Sequence, residues 1–277
     1  MQIISDGWYT AYNLKKGLWG IDDFGHDTFY AGIGEKRALM IDNGYGAGRL
    51  DEFMARLTDL PWITAATHGH IDHCNGNDFF DEAYLAEEDF ELLDDEEKDI
   101  KRELLLRDPR ILIGHESGFR TIGGCHARKA THIIEDGQVF DLGGRTVTAW
   151  KVPGHTNGSV CFIDDWTRSL FIGDMYVPLQ EWNEMWFHVP NCAPLSVAAK
   201  SVRRAWDMHS QYNTVLSGHG TNFTLLPRRL KELADALDGL VGGSIQGSVF
   251  PNQFGDSETR VYRQDHFGIV YDTEKIY

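Results

Sequence analysis

The chain has 277 residues, 42% of them hydrophobic, which is enough for a sizeable buried core in one large domain or two. Its 26 lysine and arginine residues against 42 aspartate and glutamate residues give a net charge of −16, and this field repels the phosphate backbone of nucleic acids. No apolar stretch approaches the length of a membrane span, so the expected partner is a small molecule rather than nucleic acid or a membrane.

The N-terminal residues and the cysteines predict a compartment. The chain start lacks basic residues followed by a long apolar run, so no signal peptide is predicted. The cysteines are widely spaced and form no Cys-x-x-Cys pair, which favours free thiols in a reducing compartment: Cys74, Cys125, Cys161 and Cys192. We therefore expect a cytoplasmic protein.

The first part of the chain is predicted to be β structure leading into a helix. Residues 8–12, 28–33 and 37–41 are short β-prone runs separated by glycines. Apolar residues then recur at helical spacing over 48–59, and Pro61 ends that helix. A buried strand is predicted at 62–67.

Directly after this strand lies a dense group of polar residues in the pattern His-x-His-x-Asp-His, formed by His68, His70, Asp72 and His73. Imidazole and carboxylate are ligands that suit Zn²⁺, and also Fe and Mn. In an extended backbone His68 and His70 point to the same side. Asp72 and His73 then point elsewhere, towards a second metal a few ångströms away.

The next region is strongly acidic, with nine acidic residues and one lysine within 87–99. Apolar residues at helical spacing predict a helix over 87–107 with a solvated acidic face. Two interpretations stay open, a lid over the site and a surface helix. Pro109 and four glycines predict loops over 108–125.

The β pattern returns after residue 130. Strands are predicted at 131–134, 138–142, 146–152, 159–163, 169–172 and 214–216, with a terminal hairpin at 260–262 and 268–271. Helices are predicted at 194–209 and 227–240. Three residues beside glycines stand at strand ends in this half, and they extend the candidate ligand set: His155, Asp174 and His219.

The order of these motifs, His-x-His-x-Asp-His, Gly-His-Thr, Gly-Asp and Gly-His, resembles the metallo-β-lactamase superfamily over about residues 28–220. The resemblance implies an α/β protein with a four-layer αββα sandwich, a single domain over 1–277 and a helical or loop insertion at about 87–125. It also implies two Zn²⁺ per chain, with Mn or Fe as alternatives. The implied ligands are His68, His70 and His155 for one ion, Asp72, His73 and His219 for the other, and Asp174 between both.

Asp42 follows the run 37–41 and has two interpretations. Its pattern, Asp42-Asn43-Gly44, is typical of a turn. The resemblance implies that Asp42 supports the ligand loop.

The ligand set implies hydrolysis. Two close divalent ions share a water and lower its pKa, and the bridging hydroxide attacks a small ester, thioester or lactone. Members of the redox di-iron branch carry the pattern His-x-Glu-x-Asp at this loop. In this chain the position of that glutamate is His70, which favours hydrolysis. A glyoxalase II-type thioesterase, a mononuclear iron persulfide dioxygenase and a non-enzymatic metal-containing sensor remain as alternatives.

The segment 175–190 follows Asp174 directly and is the best candidate for substrate specificity. Aromatic walls with a few polar groups suit a small apolar ligand. The predicted pocket residues are Phe24, Tyr176, Trp182 and Trp186, with Phe24 taken from a second candidate rim at 19–26. Tyr176 or His188 would donate a proton to the leaving group, and Asp72 completes the predicted catalytic residues. The alternative is that these aromatic residues belong to the core.

Overall fold

The computed structural model describes residues 2–23, 25, 27–46, 48–94, 130–178, 183–189, 191–220, 224–251, 257–264 and 266–277. The chain divides into two compact units. Unit 1 comprises Met1–Ile134 and Phe140–Thr146, and unit 2 comprises Glu135–Val139 and Val147–Tyr277. The single domain with an insertion at about 87–125 stays a prediction, and residues 95–129 lie outside the described residues.

Unit 1 contains an eight-stranded sheet in which every strand pairs with the next one in the chain. Its strands, β1 to β8 in chain order, are Ile3–Ser5, Tyr9–Lys15, Leu18–Asp23, Asp27–Ile33, Ala38–Ile41, Trp62–Ala65, Ala83–Leu85 and His132–Ile133. Pairing is antiparallel from β1 to β5 and parallel from β5 to β8, so the sheet is mixed. Its helices are α1, Leu50–Met54, and α2, Ile71–Cys74, with 3₁₀ helices at Asn77–Phe79 and Glu87–Asp94.

The core of unit 1 forms where the apolar side of this sheet meets α1. Phe53 of α1 is fully buried and lies against the ring of Tyr9, with the ring centroids 5.3 Å apart. Tyr9 in turn contacts Phe29 edge to face. Burial of these large rings fixes the sheet that carries the polar residues at its strand ends.

The remaining strands form two mixed sheets, and most of their residues belong to unit 2. These strands, numbered on as β9 to β19, are Val139–Asp141, Thr146–Lys151, Val160–Asp164, Ser169–Phe171, Val177–Pro178, Asn183–Phe187, Thr214–Leu216, Thr224–Leu225, Ser248–Phe250, Thr259–Gln264 and Phe267–Asp272. The first sheet has the order β16-β15-β12-β11-β10-β9, and the second has the order β13-β14-β19-β18-β17. Parallel pairs occur between β12 and β15 and between β14 and β19.

Two amphipathic helices complete unit 2. They are α3, Leu195–Asp207, and α4, Arg228–Val241, with 3₁₀ helices at Gly173–Met175 and Thr273–Lys275. The stripe predicted for α4, formed by Leu230, Leu233 and Leu237, is fully buried. Among the described residues no helix is long and apolar enough to cross a membrane.

The structure departs from the predicted elements in three places. The predicted rim 19–26 overlaps strand β3, Leu18–Asp23, and its Trp19 is only 6% exposed, inside the core. The candidate specificity segment 175–190 contains β13 and β14. In the acidic region, Glu87–Asp94 is a 3₁₀ helix rather than the start of an α-helix, and its continuation falls outside the described residues.

Candidate metal centre

The ligand loop of unit 1 begins where β6 ends. His68 and His70 flank Gly69, and His70 has an extended backbone with φ −69° and ψ 153°. Their side chains point to the same side, as predicted, and place Nε2 of His68 3.0 Å from Nδ1 of His70. Two ring nitrogens that both present lone pairs at this distance repel each other, so the pair requires a shared proton or a cation between them.

The second half of the motif lies on α2, a single helical turn. The backbone N–H groups of His73 and Cys74 both donate to the carbonyl of His70. This turn brings Oδ2 of Asp72 to 3.7 Å from Nε2 of His73. It also tilts the His73 ring against the His68 ring, with the centroids 4.0 Å apart. The sequence predicted a loop here, and the helical turn is what collects all four side chains in one small volume.

Asp42 both turns the chain and holds the ligand loop. Its φ of +60° lies in the left-handed region that aspartate tolerates better than most residues. Oδ1 accepts the Thr67 N–H at 2.6 Å, and Oδ2 accepts the Thr67 hydroxyl and Nδ1 of His73, each at 2.9 Å. Because β5 and β6 are parallel neighbours, their carboxyl ends meet and these residues become adjacent.

These hydrogen bonds fix where the protons lie on two histidines. A carboxylate only accepts, so Nδ1 of His73 carries the proton that it donates to Asp42. The Thr67 hydroxyl donates to Asp42 and therefore accepts from Nδ1 of His68, 3.1 Å away. In neutral imidazole both Nε2 atoms are then unprotonated, which is the state that a metal ion requires.

Asn43 is a loop support that the sequence motif did not reveal. It is fully buried, its Oδ1 accepts the Gly76 N–H at 2.7 Å, and its backbone N–H donates to the carbonyl of His73. Its Nδ2 donates to Thr64 and Asn77. The triplet Asp42-Asn43-Gly44 was a turn signal in sequence, and only the fold shows that Asn43 faces the end of the ligand loop.

Asp23 supports the turn that follows Asn43. Its carboxylate accepts the indole N–H of Trp8 and the backbone N–H of Tyr45, each at 3.1 Å. The carbonyl of Tyr45 accepts in turn from the side chain of Asn75, the residue that caps α2. Complete burial is the main cause that raises the pKa of Asp23 from 3.8 to about 7. The two hydrogen bonds act in the opposite direction and lower this pKa.

The raised pKa of Asp23 makes stability depend on pH. The folded state binds this proton more tightly than the unfolded chain, so the free energy of unfolding falls as pH rises from 3.8 to about 7. The expected loss from this group is up to about 4 kcal/mol. Urea unfolding at several pH values in this range gives the free energy of unfolding as a function of pH. The decrease of that free energy with rising pH should be smaller for Asp23→Asn than for the wild type. The exposed Asp78→Asn serves as the control, and an unchanged slope in Asp23→Asn would contradict the assignment.

Unit 2 carries a second ligand group at the carboxyl ends of β12 and β15. These strands are parallel, with Phe171 opposite Leu216, so the residues that follow them come together. Asp174 lies in the 3₁₀ helix after β12, and Oδ2 of Asp174 is 3.1 Å from Nε2 of His219. A backbone hydrogen bond from Gly218 to the carbonyl of Gly173 ties the two segments together.

His155 joins this group from the turn after β10. Its Nδ1 lies 3.1 Å from the backbone carbonyl of Trp186, which can only accept, so Nδ1 carries the proton. Its Nε2 faces Oδ2 of Asp174 at 3.6 Å. The neighbouring Gly154 allows a close approach to the Phe187 ring, which a Cβ at position 154 would contact at 3.2 Å.

The donor atoms of each unit fit a divalent cation. Unprotonated imidazole nitrogens and carboxylate oxygens face one another at distances where lone pairs repel, and a cation converts that repulsion into ligation. Histidine and aspartate side chains of both units belong to groups that could hold a metal ion. All seven predicted ligands are among the residues that the structure describes.

The predicted substrate residues have mixed outcomes. Tyr176 has no exposed area and lies in the core of unit 2, where its ring contacts Phe267, which argues against the predicted role in a pocket and as a proton donor. Trp186 is partly buried in β14, and His188, 8% exposed, follows the end of that strand. Phe24 and Trp182 lie outside the described residues.

Comparison with known proteins places the chain in a family. The model of the metallo-beta-lactamase superfamily matches residues 21–205, a span that includes six of the seven predicted ligands, all except His219. The chain belongs to the metallo-beta-lactamase superfamily. The resemblance inferred from the motifs is therefore confirmed.

Two curated relatives of this chain are named as thioesterases. Human acyl-coenzyme A thioesterase MBLAC2 is 27% identical over 186 residues, which cover 61% of this chain and 66% of that protein. The atrochrysone carboxyl ACP thioesterase of Aspergillus fumigatus is 29% identical over 154 residues, 54% of this chain and 39% of that protein. In both cases the match spans less than two thirds of the relative's length.

Solved structures of the superfamily show the fold. A metallo-beta-lactamase from Erythrobacter litoralis aligns with a TM-score of 0.59 at 13% identity, over 86% of this chain and the whole of that one. The likeness confirms the predicted fold class, the metallo-beta-lactamase fold, an α/β architecture with mixed sheets.

Proposed function

We propose that this metallo-beta-lactamase superfamily member is a metal-dependent hydrolase of thioesters, with acyl-coenzyme A as the substrate class. The proposal includes two divalent ions per chain, taken to be zinc. The proposed ligands are His68, His70, Asp72, His73, His155, Asp174 and His219.

The observation that carries the proposal is which ring nitrogen carries the proton in three histidines. In each of His68, His73 and His155, Nδ1 faces a hydrogen-bond acceptor. The acceptor is a carboxylate, a backbone carbonyl or, for His68, a hydroxyl that already donates its own proton to Asp42. Each therefore offers an unprotonated Nε2. A histidine whose second nitrogen donates to a carboxylate or carbonyl is the usual form of a metal ligand.

The residues of this chain would share the chemical work as follows. Divalent ions in such a site lower the pKa of water and stabilise the charge that develops on a carbonyl oxygen. Asp72, with a side chain 18% exposed, would take up a proton from water at a carboxylate oxygen. Asp42 would hold Nδ1 of His73 throughout, which keeps that ring in one orientation.

Two arguments favour a thioester over other acyl substrates. The first is the names of the two curated relatives, both thioesterases. The second is chemical: a thiol with a pKa of about 8.5 leaves as thiolate near neutral pH with little help from an acid. Tyr176 is buried in the core, so a leaving group that needs no strong proton donor suits this chain. His188 remains the proposed hydrogen-bond donor to the leaving group.

The experiment that tests the function combines metal content with a substrate series. Elemental analysis by plasma mass spectrometry should give about two zinc (or manganese) per chain. A matched series of acyl-coenzyme A, acyl N-acetylcysteamine and the corresponding oxygen ester should show turnover of the thioesters. Because the chain has a net charge of −16, the uncharged N-acetylcysteamine ester separates thioester chemistry from recognition of the coenzyme's phosphates.

Other results would favour the alternatives. About one iron per chain, with oxygen uptake in the presence of persulfides, would favour a persulfide dioxygenase. Bound metal without turnover of any member of the series would favour a sensor or binding protein.

A further inference from the structure

The acidic region contains one residue that differs from its neighbours. In the 3₁₀ helix Glu87–Asp94, Glu87 and Glu88 are exposed, whereas Asp89 is fully buried. Burying a carboxylate is costly unless hydrogen bonds compensate for the lost water. The partner of Asp89 therefore identifies what the helix does.

One partner of Asp89 among the described residues is the backbone between two predicted metal ligands. Oδ2 of Asp89 accepts the N–H of Gly69 at 2.8 Å, and Gly69 stands between His68 and His70. A peptide unit is planar, so fixing the Gly69 N–H also fixes the carbonyl of His68 and the direction in which the chain leaves it. A charge-assisted bond of this kind is shorter and stronger than one between neutral groups.

The approach of the two segments is too close for a side chain at position 69. A Cβ on Gly69 would lie 2.9 Å from the backbone oxygen of Asp89 and 3.1 Å from Cβ of Leu92. The glycine thus allows backbone contact between the ligand loop and the 3₁₀ helix.

Apolar contacts between the 3₁₀ helix and residues beside the ligand loop support the same arrangement. Leu93 of the 3₁₀ helix is buried in a small cluster with Ala66, Cys74 and Leu85, against which Phe90 packs. Ala66 precedes the ligand loop, and Cys74 ends α2. The cluster therefore connects the helix to both ends of the motif.

We propose that Asp89 is a positioning residue for the metal ligands His68 and His70, and that the helix Glu87–Asp94 is a support for the ligand loop. This inference rests on the proposed function, because it assigns Asp89 a role in metal binding. It gives a role to the buried side of this helix, whereas Glu87, Glu88 and Glu91 form its solvated acidic face. In this role Asp89 acts through the geometry of the His68–His70 pair.

The test compares Asp89→Ala with two matched variants. Asp89→Asn keeps an oxygen that accepts the Gly69 N–H, and Glu91→Ala removes an exposed carboxylate from the same helix. Zinc affinity is measured by competition with a chromogenic chelator, and the absorption spectrum of the cobalt-loaded protein reports ligand geometry. Steady-state kinetics on a thioester separate kcat from KM.

We expect Asp89→Ala to bind zinc roughly ten-fold or more weakly, to show a changed cobalt spectrum and to lose kcat with little change in KM. Asp89→Asn should recover most of the affinity, and Glu91→Ala should match the wild type. Wild-type zinc affinity and an unchanged cobalt spectrum in Asp89→Ala would overturn the inference and leave the proposed function standing. A wild type that binds no metal would overturn the proposed function itself.

A second variant covers the case in which Asp89→Ala does not fold. Gly69→Ala forces the same contact apart from the loop side, since its Cβ would meet the Asp89 backbone. Weaker zinc binding by folded Gly69→Ala is the expected result. Wild-type affinity in that variant would overturn the inference.

Discussion

Asp174→Ala is expected to lose the proposed metal ions and the proposed thioesterase activity together. Oδ2 of Asp174 lies 3.1 Å from Nε2 of His219 and 3.6 Å from Nε2 of His155, so this carboxylate supplies the negative charge between two imidazoles. Without it a divalent ion faces two neutral ligands and loses charge compensation. We expect kcat/KM to fall by more than roughly 100-fold, beyond the usual effect of residues that only orient a ligand.

The measurement pairs metal content per chain with kcat/KM on the same preparation. Asp174→Ala should still fold, because it removes a buried charge rather than stranding one. Asp207→Ala, at an exposed position of α3 in the same unit, is the control and should keep full metal content. His68→Ala should behave as Asp174→Ala does. Full activity in either ligand variant would contradict the assignment.

Asp42→Asn is expected to reduce the metal content from about two ions per chain to about one. The amide oxygen of asparagine replaces Oδ1 and still accepts the Thr67 N–H. Its NH₂ then occupies the position of Oδ2 and points a donor at Nδ1 of His73. The imidazole responds by moving its proton to Nε2, and a protonated Nε2 cannot bind a metal ion.

The effect should be confined to the ion for which His73 is a proposed ligand. The Thr67 hydroxyl both donates and accepts, so it can reorient towards the new amide while still accepting from Nδ1 of His68. Asparagine also tolerates the left-handed backbone at position 42, which keeps the turn intact. We expect affinity for the second ion to fall by about 100-fold, the upper end for residues that orient a ligand.

Metal titration of the wild type and Asp42→Asn measures this difference directly. The exposed Asp78→Asn, in the 3₁₀ helix that follows the ligand loop, is the matched control. Two tightly bound ions and unchanged kinetics in Asp42→Asn would show that the tautomer of His73 does not govern binding.

Much of this arrangement could be predicted from short-range pattern. The spacing of Leu230, Leu233 and Leu237 predicted a helix because burial of one face needs that period. The ligand loop was found because four metal-binding side chains in six positions after an apolar strand are rare by chance. Both signals lie within a few residues of sequence.

Other features depend on contacts between distant parts of the chain. Asp89 looked like one more member of a solvated acidic run, since composition cannot single out the residue that meets Gly69. Tyr176 was predicted to line a pocket because it closely follows Asp174. Its ring instead contacts Phe267 of β19, a strand that is distant in sequence. Strand β3 was missed because its buried side chains do not alternate with exposed ones, and all but one of its residues are buried.

The strand order of unit 1 has a consequence for how the molecule assembles. Each strand from Ile3–Ser5 to Ala83–Leu85 pairs with its neighbour in the chain, so these contacts close short loops and have a low contact order. The strands before Asp174 and His219, β12 and β15, are separated in the chain by two strands and a long helix. Their pairing closes a longer loop and should form more slowly. During folding, His68, His70, Asp72 and His73 should therefore reach one another first, and a nascent chain would present a preorganised half of the donor set before the other half exists.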